Sequence, residues 1–183
     1  MQNFTNETIN ISELPKYEEV ALQPLHSDYW KVILIGNFIF LGILSIIAGI
    51  VLFFNEEARD YWYIFALVVA VIFLFSVFLG RVSFRKRGFA FRQHDVLYKN
   101  GIISETTTII PFNRIQHVAL HEGVFARIFG LASIGIYTAG GGDSDIDIPG
   151  IEKEKALQIK QLLMTKLTDE TQQSSENDGE SEL

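Results

Sequence analysis

Residues 88–141 read GFAFRQHDVLYKNGIISETTTIIPFNRIQHVALHEGVFARIFGLASIGIYTAGG. Ile, Val, Thr, Phe and Tyr are concentrated in short runs that turn residues interrupt, which is the pattern of successive β-strands. Asn100-Gly101 between two such runs is a strong hairpin signal. We therefore predict an antiparallel meander. Its strands are expected at 88–92, 94–99, 106–110, 115–121, 133–138 and, just beyond the quoted stretch, 145–148.

Two helical segments accompany these strands. A short helical turn is predicted at 124–130, where Gly130 ends it, since glycine commonly follows the last helical turn. Residues 152–167 form an amphipathic pattern with lysines opposite an apolar face. That face consists of Ala156, Ile159, Leu162, Leu163 and Leu167. Such a helix is expected to cover one end or one face of the sheet.

Two long apolar stretches precede the strands. Residues 32–54 contain no ionisable side chain, and residues 61–80 contain none apart from tyrosines. As helices they would be about 34 Å and 30 Å long, enough to cross a hydrocarbon core about 30 Å thick. A buried helix of a soluble protein or a cleaved signal peptide fits less well, because both stretches lack a polar face and the first follows thirty polar residues. Only residues 55–60 separate them, so they predict an antiparallel transmembrane hairpin.

Basic residues indicate the orientation of this hairpin. The connecting loop at 55–60 is acidic, whereas five bases follow the second stretch closely: Arg81, Arg85, Lys86, Arg87 and Arg92. Positive charge is retained on the cytoplasmic side of membranes, so residues 81–183 and the N-terminus are both expected there. The small residues Gly42, Ser45 and Gly49 share a stripe in the first helix, as Ala66 and Ala70 do in the second, and these stripes are the expected contact between the helices.

The order of these parts, with IPFNRIQHV at 110–118, ARIFGL at 126–131 and YTAGG at 137–141, resembles the bacterial pleckstrin-homology (PH) domain family of YdbS-like membrane proteins. The resemblance covers roughly residues 20–168. It implies a strongly bent sheet of about seven strands, closed at one end by the C-terminal helix. It also implies a protein of the bacterial cytoplasmic (inner) membrane that often works beside a larger multi-spanning protein with repeated PH-like domains.

We accordingly expect a membrane α-helical hairpin plus an α+β, mainly β, PH-like domain. The expected parts are a polar N-terminal tail at 1–30, the two-helix hairpin at 31–80, the cytoplasmic PH-like domain at 81–168 and an acidic, disordered tail at 169–183. The net charge of −7 owes much to that last tail, which has six acidic residues and no base. No cysteine occurs, which excludes disulfides and thiolate chemistry.

The glycine-rich stretch at 135–150 invites a ligand-binding interpretation. A phosphate loop requires a lysine and a following helix, and neither is present, so Gly140, Gly141 and Gly142 are interpreted as a structural turn between two strands. Asp143, Asp145, Asp147 and Glu154 occupy positions of a calcium-loop pattern, but Ile148 stands where that loop needs glycine. A solvated strand edge is the favoured interpretation, and no metal site is predicted.

Histidines provide no better case for catalysis. His117 and His121 lie in a predicted strand, where four residues span about 13 Å, too far for one metal ion. His94 could still approach either of them. No nucleophile motif or carboxylate pair is evident, so we predict no catalytic residue, no cofactor and no enzymatic activity.

A non-catalytic interaction module is therefore the favoured hypothesis. Its partners are expected to be the membrane itself and either a membrane protein with PH-like repeats or a second copy of the chain. Arg81, Arg85, Lys86, Arg87 and Arg92 are candidates for binding anionic headgroups, although topology alone also requires bases there. Arg114 and Arg127 are candidates for docking or for fold stability. The alternative is an envelope-stress or transport accessory in which the hairpin carries function. Nucleic acid is not an expected partner, since aromatic residues do not alternate with the Lys and Arg residues.

Overall fold

The structure, a computed structural model, describes residues 19–138 and 146–180, with side chains up to residue 166. A two-residue strand, β1 (Gln23–Pro24), precedes the first helix, α1 (Tyr29–Phe54). A short helix, α2 (Glu56–Arg59), connects α1 to α3 (Trp62–Lys86). Both long helices have the length and apolar composition to cross a membrane. No residue of α1 is buried within the protein and only Ser83 of α3 is, so their apolar side chains face outward, unlike those of a soluble core helix.

The strands after the hairpin form two antiparallel sheets. The first contains β1, β2 (Gly88–Phe91), β3 (Asp95–Asn100) and β4 (Thr106–Pro111), in that order. A 3-10 turn at Phe112–Arg114 follows Pro111 and turns the chain into the second sheet. That sheet consists of β5 (Ile115–His121), β6 (Leu131–Thr138) and β7 (Ile146–Glu152), again in sequence order. The predicted fold class, a seven-stranded PH-like domain behind two apolar helices, is confirmed.

Three of the described glycines, Gly101, Gly130 and Gly150, have a positive φ, a backbone conformation that other residues rarely take. Gly101 has a φ of 128° and starts the loop between β3 and β4, where a Cβ would lie 2.0 Å from the Ser104 carbonyl oxygen. Gly130 has a φ of 66° and follows the short helix α4 (Val124–Ile128). Both observations agree with the predicted hairpin at Asn100-Gly101 and the predicted helix end at Gly130.

The last helix, α5 (Lys153–Glu180), packs against β5, β6 and β7. Its own residues Ala156, Ile159 and Leu163 are buried on the side that faces the sheet, while Leu162, predicted on the same face, is 48% exposed. The helix is longer than the predicted 152–167 and continues into the segment 169–183 that we expected to be disordered. Glu and Gln are frequent there, and both are good helix formers, so a polar helix can continue without an apolar face.

The core lies between the two sheets and α5. Its fully buried members include Val96, Phe112, Ile134, Ile148 and Leu163. Leu25, which precedes the hairpin, belongs to the same cluster and is 5% exposed. The assignment of all of residues 1–30 to a polar tail therefore differs from the structure, because β1 pairs with β2 and Leu25 enters the core. A two-residue strand between Leu22 and Leu25 is too short to show a periodicity.

Candidate membrane-facing site

The hairpin and the PH-like domain are joined at two places. On one side, α3 continues to Lys86 and β2 begins at Gly88, so a single residue separates helix from sheet. The predicted hairpin ends at residue 80, whereas α3 continues to Lys86. A helix satisfies its own backbone hydrogen bonds, so it need not end where the apolar stretch ends.

On the other side, the segment before α1 is held by β7. The His26 amide donates to the Gly150 carbonyl oxygen at 2.8 Å. Gly150 has a φ of 66°, and a Cβ placed on it would lie 2.5 Å from Cγ of Tyr29. The first residue of α1 therefore packs directly on the backbone of the domain.

Aromatic and basic side chains surround these two attachments. The Arg81 guanidinium carbon lies 4.9 Å from the Trp30 ring centroid and 5.8 Å from that of Phe84. The rings of Trp30 and Phe84 are 6.1 Å apart, and Tyr29 is 6.5 Å from Phe84. The amphipathic rings of Tyr and Trp prefer the headgroup level of a bilayer, and arginine over an aromatic face gains a cation–π interaction.

A basic cleft of about 290 Å³ lies beside the end of α3. Its lining includes Arg85, Lys86 and Lys99, together with Glu105. The Lys99 ammonium lies 2.7 Å from one Glu105 oxygen and the Lys86 ammonium 3.1 Å from the other. Lys86 also donates to the Ile102 carbonyl oxygen at 2.9 Å. The hydrogen bond from Lys99, and then that from Lys86, lowers the pKa of Glu105.

The remaining lipid candidates are arranged differently. Arg87 is half-buried, and its Nε is buried with no hydrogen-bond partner among the described residues. Burial raises the pKa of the nearby Tyr98 hydroxyl, and the positive charge of Arg87 opposes that shift. Arg92 is engaged by a neighbour, since its Nε donates to Asp95 Oδ1 at 2.6 Å and its Nη2 to the second oxygen. The structure thus gathers Arg81, Arg85 and Lys86 on the last turns of α3, turns Arg87 inward and pairs Arg92 within the turn between β2 and β3.

The two interaction candidates lie on separate elements. Arg114 is exposed in the 3-10 turn, which packs against α5. Arg127 is exposed on α4, which lies beside α1 and β6. The sequence did not single out Lys99 or Glu105, because their proximity to α3 depends on the pairing of β2, β3 and β4.

The residues considered for metal binding are not brought together where the structure describes them. Asp147 is exposed on β7, and Glu154 lies in the first turn of α5. The turn at Gly140, Gly141 and Gly142 and the carboxylates of Asp143 and Asp145 lie outside the described residues. His117 stacks on Tyr137 with ring centroids 4.2 Å apart. Among the side chains of residues 19–138 and 146–166, no three His, Asp or Glu form a group that could hold a metal ion.

Within the hairpin, the small residues face each other across a gap. Ser45, Gly49, Ala66 and Ala70 line an apolar cleft of about 450 Å³ between α1 and α3. Close contact occurs nearer the domain instead, where a Cβ on Gly80 would lie 3.2 Å from Ile33. The predicted contact at the stripe of Gly42, Ser45 and Gly49 is therefore wrong, since a Cβ on Gly42 or Gly49 would meet nothing within 4 Å. Asn37 bridges the helices, because Ser76 Oγ donates to Asn37 Oδ1 while Asn37 Nδ2 donates to the Ile33 carbonyl oxygen at 3.0 Å.

These features define a class of protein: a PH-like domain fixed to two apolar helices. The family model described as the bacterial PH domain matches residues 33–167, and the chain belongs to that family. It is also 28% identical over 94 residues to transmembrane protein YdbT of Bacillus subtilis (strain 168). That alignment covers 46% of this chain but only 19% of YdbT, so the chain corresponds to a small part of its relative. No solved structure matches the chain.

Proposed function

We propose that the protein is a non-catalytic interaction module at the cytoplasmic face of the bacterial cell membrane. In this proposal the hairpin anchors the PH-like domain, which docks onto a partner membrane protein with PH-like repeats or onto a second copy of the chain. The predicted topology, with both termini in the cytoplasm, is part of the proposal. Bases at the domain end of α3 and acids in the segment around α2 support it.

The double attachment of the domain is the observation that carries the proposal. A domain on one flexible tether samples many orientations, whereas this one is held by α3 running into β2 and by Tyr29 packed on Gly150. A fixed orientation lowers the entropic cost of docking onto partners embedded in the same membrane. It offers no comparable advantage for capturing a freely diffusing soluble ligand.

Isolation of the full chain from native membranes in mild detergent tests the proposal. We expect a complex larger than the monomer, and a monomer without a co-purifying protein would contradict the proposal. A second test uses a variant in which both attachments between hairpin and domain are removed. A flexible glycine-serine linker is inserted between Arg87 and Gly88, and Tyr29 is replaced by Ala. This variant should retain its circular dichroism but lose the partner. The matched control carries the same linker between Asn55 and Glu56, at the far end of the hairpin, and should keep it.

Thiol labelling tests the topology, because the chain contains no cysteine. Ala58→Cys should react with a membrane-impermeant thiol reagent that is added to intact cells. Asn100→Cys should react with the same impermeant reagent only after the membrane is permeabilised. The reverse pattern would refute the cytoplasmic placement of the domain.

Binding of anionic headgroups is a second candidate function. It is favoured by Arg85, which lines the basic cleft and makes no hydrogen bond or ion pair with any described residue. Native mass spectrometry of the full chain with added phosphatidylglycerol or phosphatidylcholine can measure it. An exposed base near a membrane contributes about 1 kcal/mol, so Arg85→Gln should weaken phosphatidylglycerol binding about fivefold. Arg92→Gln is the matched control, since Arg92 is already paired with Asp95. Equal lipid binding by wild type and Arg85→Gln would eliminate this function.

A further inference from the structure

The short helix α4 carries its apolar side chains on the outside of the domain. Val124 is 67% exposed, Phe125 38% and Ile128 71%. Val124 and Ile128 are four residues apart and therefore project from the same side of the helix, with Phe125 next to them. Three large apolar side chains grouped on one exposed surface indicate a contact with a non-aqueous partner.

The position of α4 indicates which partner that is. A cavity of about 250 Å³ is lined by Tyr29 and Val32 of α1 and by Val124, Phe125 and Ala126 of the α4 segment. Val32 is the first residue of the uncharged stretch 32–54. The exposed apolar surface of α4 thus continues directly from the end of α1 at which the chain would enter lipid.

Basic residues flank this surface. Lys31 Nζ lies 5.6 Å from the centroid of the Phe129 ring and 2.6 Å from an Asp28 oxygen. Arg127 is exposed on α4, next to the face that Val124 and Ile128 share. Long basic side chains can bury their aliphatic stems at an apolar boundary while their charges reach headgroups. The exposed Arg127 is therefore the base that can meet an anionic bilayer surface, whereas Lys31 is paired with Asp28 and Asp147 also lines the cavity.

The backbone of α4 is suited to such a location. The Arg127 amide donates to the Gly123 carbonyl oxygen at 2.9 Å, the Phe129 amide to Ala126 at 3.0 Å and the Gly130 amide to Arg127 at 3.1 Å. These bonds satisfy the amides of Arg127, Phe129 and Gly130. The first amides of a helix have no intrahelical partner, so those at the start of α4 fit the hydrated headgroup boundary and not the hydrocarbon core.

We propose that α4 inserts Val124, Phe125 and Ile128 into the boundary between headgroups and acyl chains, so that the PH-like domain contacts the bilayer beside α1. The hairpin then supplies the anchor, and α4 sets the tilt of the domain against the membrane surface. This inference rests on the proposed membrane insertion of the hairpin.

Single-cysteine variants of the full chain in nanodiscs of phosphatidylcholine and phosphatidylglycerol test the inference. An environment-sensitive fluorophore is placed at Ile128→Cys, at Phe40→Cys in the first apolar helix and at Leu162→Cys on the exposed side of α5. We expect Ile128→Cys to lose quenching by aqueous iodide, to shift its emission to the blue and to be quenched by lipids with a doxyl group near the headgroup. Leu162→Cys should remain open to iodide.

Each other outcome is decisive. Iodide quenching at residue 128 equal to that at residue 162 would place α4 in water and overturn the proposal. Loss of iodide quenching at residue 128 without doxyl quenching would mean that protein covers α4, which also overturns it. Iodide quenching at residue 40 would show that the hairpin lies outside the bilayer, so the membrane anchor would fail together with the inference. Protection at residue 40 alone would leave the anchor intact and refute only the insertion of α4.

Discussion

Gly150 of β7 lies against the ring of Tyr29, the first residue of α1. A Cβ at Gly150 would approach Tyr29 Cγ to 2.5 Å, Cβ to 2.7 Å and Cδ1 to 3.0 Å. The same glycine accepts a hydrogen bond from His26 and has a left-handed backbone conformation. One residue of the last strand therefore holds the beginning of the membrane hairpin against the domain.

Gly150→Ala should destabilise the domain for two separable reasons. The left-handed conformation costs a residue with a Cβ about 1 kcal/mol, and displacement of Tyr29 should add about 1–3 kcal/mol of overpacking. Gly130→Ala is the matched control, because Gly130 has the same φ of 66° but a Cβ there would meet nothing within 4 Å. Chemical unfolding in detergent should show the larger loss for Gly150→Ala. Equal losses would mean that the Tyr29 contact does not matter.

Leu25→Ala tests whether the segment before the hairpin is part of the domain. Leu25 is 5% exposed within the core, and truncation of a buried leucine typically costs about 2–5 kcal/mol. Ile103→Ala serves as the control, since Ile103 is 97% exposed and its truncation removes no core contact. The free energy of unfolding of the domain is the quantity to measure. A Leu25→Ala variant as stable as Ile103→Ala would exclude this segment from the core.

Ser76→Ala removes the hydrogen bond that joins the two apolar helices. Interhelical hydrogen bonds of this kind contribute about 0.6 kcal/mol on average in membrane proteins, so a loss of that order is expected. Ser45→Ala provides the comparison, because Ser45 lines the cleft between the same helices. Steric-trap unfolding in bicelles has the sensitivity required. If both variants lose the same stability, the bond to Asn37 is energetically silent.

Glu105 should give the domain a specific sensitivity to acid. Its folded-state pKa lies below the ordinary value of 4.5 because Lys99 and Lys86 donate hydrogen bonds to the ionised form. The ionised group therefore contributes its full stabilisation above about pH 4.5, and that contribution is lost as the pH falls through the lower folded-state pKa. Melting temperatures of wild type and Glu105→Gln should converge over this acidic range. A constant difference at all pH values would refute the assignment.

The strands were predictable because their signal is local. Alternating apolar residues and turn residues placed six of the seven strands within a few residues of their observed bounds, and only β1 was missed, since Gln23 and Pro24 show no pattern of their own. The two apolar helices were equally evident from their lack of charge. The end of α3 could not be predicted in this way. Arg81, Arg85 and Lys86 indicate where the membrane-spanning part ends, but a helix can continue beyond that point.

The site was only partly predictable, because adjacency in sequence does not determine which charges meet. Arg87 and Arg92 belong to the same basic run as Arg85, yet one turns toward Tyr98 and the other pairs with Asp95. Lys99 and Glu105 join Lys86 through strand register, which no local pattern reports.

The sequence by itself determined the two apolar helices and the order of the main strands, since hydrophobic periodicity and charge depletion act over a few residues of chain. Its motifs carried the resemblance to the family, which the family model shows. Only the tertiary structure decided that Leu25 enters the core, that Tyr29 packs on Gly150 and that α4 lies beside α1. Those contacts join residues far apart in the chain, and they form and stabilise the protein only when the two sheets pack around a common core.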